Sequence, residues 1–383
     1  MLLLRILETA AVAGAICGSC YYLLCILSAT RFLRHSRQLH AGGELAPPVS
    51  ILKPLRGTDP DIYEAFRSHC LQDYPEYEII FGVSDPKDPA IELVKRLQGE
   101  FPNRRIELVY CQKVLGANLK VSNLVQMLPS ARYDVLLVND SDIKVPPDYL
   151  RRVAPQLCRP NVGMVTCLYR GIAGDTLGSK LESLGISTDF GAGVLAARQL
   201  EGIRFGLGST LAFTRSALEK IGGFEPIVDY LADDYELGAR IAESGLQVLL
   251  SDVVVDHHLP DYTTRAFIDH QLRWNRSTRH SRRWGYTGMV LTFGLPWALL
   301  ALVLSWGAPW AWGLLALASA LRLAMALFVG ARVIHDSQLK RTLWLLPLRD
   351  MAAMALWVAS YTGRRVAWRG DWFVLENGKL RPA

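Results

Sequence analysis

The sequence predicts an α/β domain on a mostly parallel sheet, set between apolar terminal segments that fit membrane helices. Between residues 49 and 138, short apolar runs alternate with helical patterns, the signature of right-handed crossovers between parallel strands. Val135-Leu136-Leu137-Val138 stops abruptly at Asn139-Asp140-Ser141-Asp142, as a buried strand does at the ligand-binding edge of such a sheet. Half of the residues are hydrophobic, and the excess gathers at the two ends of the chain.

Residues 10–29 carry no charge and have about the 20 residues a helix needs to cross a bilayer. Only Arg5 precedes them, whereas Arg31, Arg34 and Arg37 lie just beyond. A cleaved signal peptide would show a shorter apolar core with basic residues ahead of it, so the segment reads as an uncleaved anchor. The basic flank places the downstream domain in the cytoplasm, and the expected location is the cell inner membrane. The expected organisation is an anchor at 1–30, a linker at 31–48, a cytoplasmic catalytic domain at 49–285, and a C-terminal membrane region with a cytoplasmic tail at 286–383.

Within the domain, Val49-Ser50-Ile51-Leu52 is a strand ended by Lys53-Pro54, and a helix comes next at 61–70. Strands are expected at 78–83, 105–110 and 133–138, with helices at 90–100 and 118–127. The run 162–166 adds a strand at the sheet margin. In the C-terminal region, 289–306 and 309–330 are long enough to span. The second contains Arg322, which either serves a function inside the membrane or snorkels to an interface. Pro347, Arg349 and Asp350 interrupt 342–361, so that segment is expected to lie in the interface or to dip in and return.

A net charge of +6, much of it flanking apolar segments, suits anionic headgroups; there is no nucleic-acid module. The seven cysteines lack metal-ligand spacing and read as reduced thiols. No Gly-x-Gly-x-x-Gly succeeds the first strand and there is no Walker loop, which disfavours dinucleotide-binding and P-loop domains.

The candidate chemistry starts from Asp140 and Asp142. A hard divalent cation takes carboxylate oxygens and leaves room for water and phosphate, so Asp-x-Asp at a strand's end suits a metal carrying a diphosphate. The other such pair, Asp59-Pro60-Asp61, sits among Gly, Thr and Pro and reads as a turn or helix cap. Asp85 ends another strand. Gly206, Gly208, Ser209 and Thr210 either let the backbone approach a ligand or mark a strand bend. Asp229, Asp233, Asp234 and Glu236 crowd one segment, where acids either begin a helix or supply a base for an acceptor hydroxyl. Arg273 and Arg276 share a helix face that suits phosphate, and Trp274 offers a flat surface to lipid or sugar; the same stretch suits lipid headgroups. His257 and His258 read as structural histidines or extra metal ligands.

Together these motifs resemble the processive and lipid-directed inverting glycosyltransferases, whose fold is the GT-A nucleotide-sugar-binding α/β sheet. Asp85, Asp140-Ser141-Asp142, Asp233-Asp234 and Arg273-Trp274 match the family's four motifs; His270 stands where the last motif has Gln or Arg. Across nearly the whole chain the wording is similar to ceramide glucosyltransferases, and most of all to their hopanoid-associated bacterial relatives. The telling phrases are Lys53-Pro54-Leu55-Arg56-Gly57, the run 116–124, Tyr230-Leu231-Ala232-Asp233-Asp234-Tyr235 and His270-Gln271-Leu272-Arg273-Trp274. The resemblance implies transfer of a sugar from a UDP-sugar to a lipid hydroxyl, with N-acetylglucosamine and bacteriohopanetetrol as the pair. It implies Mg2+ or Mn2+ on Asp142 and Asp140, a uridine or ribose contact at Asp85, and phosphate contacts from Arg273 and Lys120. Asp234 becomes the base beside Asp233, and Arg273 and Trp274 complete the catalytic set. Ceramide with UDP-glucose is the alternative pair, a non-catalytic membrane scaffold the alternative of another class.

Overall fold

The structure, a computed structural model, describes residues 2–39, 45–368 and 371–382. Its contacts divide into two compact units, one of Ser36–Ile172, Glu201–Pro260 and Glu376–Ala383, the other of Met1–His35, Ala173–Leu200 and Asp261–Leu375. These units do not match the expected boundaries at 30, 48 and 285, because two mid-chain stretches, 173–200 and 261–285, pack with the apolar helices.

The first unit is built on a sheet of β1 (Val49–Leu55), β2 (Tyr77–Val83), β3 (Ile106–Tyr110), β4 (Val135–Val138), β5 (Ile143–Lys144), β6 (Val162–Ile172), β7 (Leu211–Thr214) and β8 (Gln247–His258). Their order is β3-β2-β1-β4-β7-β6-β8-β5. The β3-β2-β1-β4 half is parallel, as is the β6–β8 pair, while β7 and β5 run antiparallel to their neighbours. Every residue of β1, β2 and β4 is buried, as expected of a sheet covered on both faces. Consequently β1, β2 and β4 deliver their carboxyl ends to one edge.

Two strand expectations are corrected. β1 continues through Pro54 to Leu55, with Pro54 opposite Gly82. Its pairing with β4 stops at Leu52, so the missing N–H of Pro54 interrupts no bond on that side. The run at 162 grows into an eleven-residue strand between β7 and β8, inside the sheet, because the antiparallel β7 inserts beside β4.

A helix covers Leu2–Leu39, most of it in the second unit, so the expected linker is helical at its start; 40–44 lie outside the described residues. Leu2–Ser36, Pro309–Arg332 and Leu339–Thr362 are long and apolar enough to cross a membrane. The expected span at 289–306 is instead bent by 53° between Arg283–Thr292 and Gly294–Leu304. Its straight part has 11 residues, about 16 Å of helix against a hydrocarbon core of about 30 Å. The segment expected to break at Pro347 does not: Pro347 sits at the start of the helix Leu346–Ala359, where a missing N–H costs little. Arg322 does not snorkel either. It is 2% exposed; its Nε donates to Asp350 Oδ2 at 2.9 Å, and its Nη2 to Asp350 Oδ1 at 2.8 Å and to Thr188 Oγ1 and Asp189. Asp350 thus neutralises the charge that made each segment look ill-suited to a membrane.

Candidate active site

The loop after β4 is anchored from below. Asn139 is fully buried and donates to the Ser209 carbonyl (2.6 Å) and the Tyr149 hydroxyl (3.0 Å). Lys53, also fully buried, donates from Nζ to the Asp140 carbonyl at 3.1 Å. Burial lowers its pKa to about 7, against the pull of Asp142 and Asp140. Sequence reasoning gave Lys53 no role of its own. A Lys inside an apolar strand is the signal that singles it out, since buried lysine requires a partner.

Four expected residues meet above this loop. Lys120, on the helix Leu119–Met127 capped by Asn118, places Nζ 2.7 Å from Asp140 Oδ1 and 2.9 Å from Asp233 Oδ2. Burial disfavours its charge, yet Asp140, Asp233 and Asp234 together hold its pKa well above the usual range. Asp233 and Asp234 open the helix Asp233–Glu243, so helix start and site coincide. Asp234 accepts from the Gly208 N–H (2.8 Å) and the Tyr235 N–H (2.8 Å). Burial, then repulsion from Asp233, raises its pKa to about 6. Gly208 lies between the acids: a Cβ there would stand 2.8 Å from Asp140 Oδ2 and 3.3 Å from Asp234 Oδ2. The strand-bend reading of this small-residue segment holds, because Leu207 and Thr210 form a tight bridge.

Asp142 points elsewhere, to His257, whose Nε2 is 3.0 Å from Asp142 Oδ2. The register that sets Ile143 opposite His257 makes this contact. Asp59-Pro60-Asp61 forms the expected turn into the helix at Ile62, but neither acid's side chain caps it. Asp61 sits at the cap position with φ 53° and no cap bond; it contacts His258 Nδ1 at 2.9 Å, while Asp59 accepts from the Ser141 hydroxyl at 2.9 Å. Asp85 leaves β2 at the same sheet edge, exposed, accepting the Lys87 N–H at 2.8 Å; among the described contacts it does not join the cluster.

Asp140 and Asp142 are carboxylates of the kind a divalent cation takes, two residues apart on the loop after β4. Of the Asp140 side chain 42% is open to solvent. No group of three His, Cys, Asp or Glu side chains among the described residues is arranged to hold a metal alone. An ion held by one or two carboxylates takes its remaining oxygens from water and phosphate.

Arg273 and Trp274 belong to the second unit, on the helix Thr264–Ser281. There His270 Nδ1 lies 2.9 Å from Glu182 Oε1, and its ring packs 4.9 Å from Trp274 and 5.3 Å from Tyr262. Trp274 is thus partly covered by a neighbour. Arg276, expected beside phosphate, donates to the Arg365 carbonyl, and Arg279 to those of Ser360 and Gly363.

A family profile described as Glycosyl transferase family 21 matches residues 10–381. The chain belongs to that family. Among its relatives, ceramide glucosyltransferase 3 of Caenorhabditis elegans is 27% identical over 267 residues, 69% of this chain and 58% of that one. A probable glycosyltransferase of Sulfolobus acidocaldarius is 21% identical, over 60% of this chain and 49% of its own length. The chain thus spans less than two thirds of the length of these curated relatives. The mannosyltransferase PcManGT from Pyrobaculum calidifontis, solved with GDP-Man and Mn2+, superposes with a TM-score of 0.55 at 21% identity, over 93% of this chain and 97% of that one. The likeness establishes a GT-A-like α/β fold for this family 21 member.

Proposed function

We propose that the chain is a membrane-bound inverting glycosyltransferase that moves a sugar from a UDP-sugar to a lipid hydroxyl. The observation that carries this reading is the convergence of Asp140, Asp233 and Asp234 around Lys120 and Gly208, at the carboxyl edge of a GT-A-like sheet. Asp234, raised to about 6, takes the proton of the lipid hydroxyl as that oxygen attacks the anomeric carbon. Asp142 and Asp140 would hold Mg2+ or Mn2+, which supplies positive charge against the departing diphosphate. Lys120 holds Asp233 in an ion pair, and Asp85 and Arg273 contact the nucleotide. One displacement turns an α-linked donor into a β-glycoside.

N-acetylglucosamine and bacteriohopanetetrol are the proposed donor sugar and acceptor, on the phrases that resemble the hopanoid-associated branch. The names of the curated relatives favour a second pair, glucose and ceramide. The catalytic unit lies on the cytoplasmic face of an inner membrane. Strand Lys379–Pro382 belongs to that unit, so an even number of crossings separates Pro260 from Glu376. If Pro309–Arg332 and Leu339–Thr362 both cross, the bent pair enters and leaves by one face.

Membranes containing the chain, incubated with each labelled UDP-sugar and each lipid, decide the function by mass spectrometry of the product. N-acetylglucosaminyl-bacteriohopanetetrol supports the first pair and glucosylceramide the second. Sugar transfer to water or protein alone overturns the lipid reading.

A further inference from the structure

The strand Lys379–Pro382 pairs with the loop that leads into the acidic helix. The Leu380 N–H donates to the Asp229 carbonyl at 2.7 Å and the Leu231 N–H to the Gly378 carbonyl at 3.1 Å, so Tyr230 and Lys379 form an antiparallel bridge. Asn377 (φ 50°) and Gly378 (φ 81°) make the tight turn into this strand, the residue pair that such a turn favours. Leu380 is buried. Lys379 Nζ stands 5.3 Å from the Tyr230 ring centre, and the Arg240 guanidinium 5.6 Å. The turn before the Lys120 helix grips the same loop. There the Asn118 N–H donates to the Val228 carbonyl (2.7 Å), the Asn118 side-chain amide to the Tyr230 carbonyl (2.7 Å), and the Ala117 N–H to Asp229 Oδ1 (3.0 Å). Two residues beyond Leu231 the chain reaches Asp233, and then Asp234.

We infer that residues 378–380 are positioning residues for the acids at 233 and 234, acting through the 229–231 backbone. The inference rests on the reading of Asp234 as base. A loop at a helix start frays unless its backbone is paired. Here one partner is the element that carries Lys120, and the other comes from the far end of the sequence. The strand therefore holds Asp233 against Lys120 and the Asp234 carboxylate against the Gly208 N–H. Misplacing a reacting group by about 1 Å costs on the order of a hundredfold in rate.

Leu380→Pro in the full chain, kept in membranes, deletes the N–H that the Asp229 carbonyl accepts. UDP release should fall about tenfold in kcat, with the donor KM and the affinity for UDP with Mn2+ changed less than about twofold. A kcat within about twofold of the unaltered chain overturns the inference. Hydrogen exchange on the unaltered chain gives a reading that survives a variant that fails to fold. The Leu231 and Leu380 amides should be protected to the same degree, and free exchange at Leu380 beside a protected Leu231 overturns the proposal. Asp234→Asn separates the two claims: full turnover there removes the base assignment, whatever Leu380→Pro does.

Discussion

Lys120→Met keeps the length of the side chain and deletes the charge that Asp140 and Asp233 share. The ammonium lies 2.7 Å from one carboxylate and 2.9 Å from the other; side-chain exposure is 17% for Lys120, 42% for Asp140 and 9% for Asp233. Removing one member of a buried pair costs about 3–5 kcal/mol, because the remaining charge stays desolvated. That figure applies to Asp233. The Asp140 contact is screened by solvent and adds about 0–1 kcal/mol, as an exposed pair does. The Asn118 amide remains 3.3 Å from Asp233 Oδ1 and offsets part of the loss, leaving about 3 kcal/mol. Thermal unfolding of the detergent-solubilised protein at neutral pH should come down by on the order of 5 °C. Mn2+ should restore more stability to the variant than to the unaltered chain, since it brings positive charge back to the same acids. An unfolding temperature within about 1 °C of the unaltered chain, with normal turnover, would refute the view of Lys120 as the counter-charge of the site.

Asp234 works as a base only when ionised, and its pKa is raised to about 6, so kcat should be flat above that pH and fall about tenfold per unit below it. Asp234→Asn should abolish transfer, read as UDP release, while UDP binding persists; a pH limb near 4 would contradict the burial of this carboxylate. Gly208→Ala drives a methyl to 2.8 Å from Asp140 Oδ2, and kcat should drop by on the order of a hundredfold with little change in unfolding temperature. In the second unit, Arg322→Met should destabilise by about 3–5 kcal/mol, and Arg322→Met with Asp350→Leu by much less, as a double-mutant cycle on thermal unfolding would show.

Much of the catalytic unit was legible locally. The helix Ala90–Glu100 is evident from the spacing of Ile91, Val94 and Leu97, and β4 from four apolar residues ending at a carboxylate. The strand that begins at Val162 was placed at the margin because no pattern within it tells which neighbours it pairs with. In the second unit, Arg322 and the Arg349-Asp350 pair each counted against their own segment. Only the meeting of Arg322 with Asp350, across 28 residues of sequence, and of both arginines with Asp189, turns two apparent flaws into one ion-pair cluster.

By itself, the sequence determined the alternation of strands and helices, the apolar ends and the acidic motifs, because periodicity and strand-end chemistry are properties of neighbouring residues. Tertiary structure alone decided that Lys53 lies beneath Asp140, that Asp61 turns to His258 instead of capping its helix, and that the last strand clamps the loop before Asp233. Those choices depend on the charge, donor or backbone edge that a distant segment presents, and a buried polar group settles only where such a partner exists.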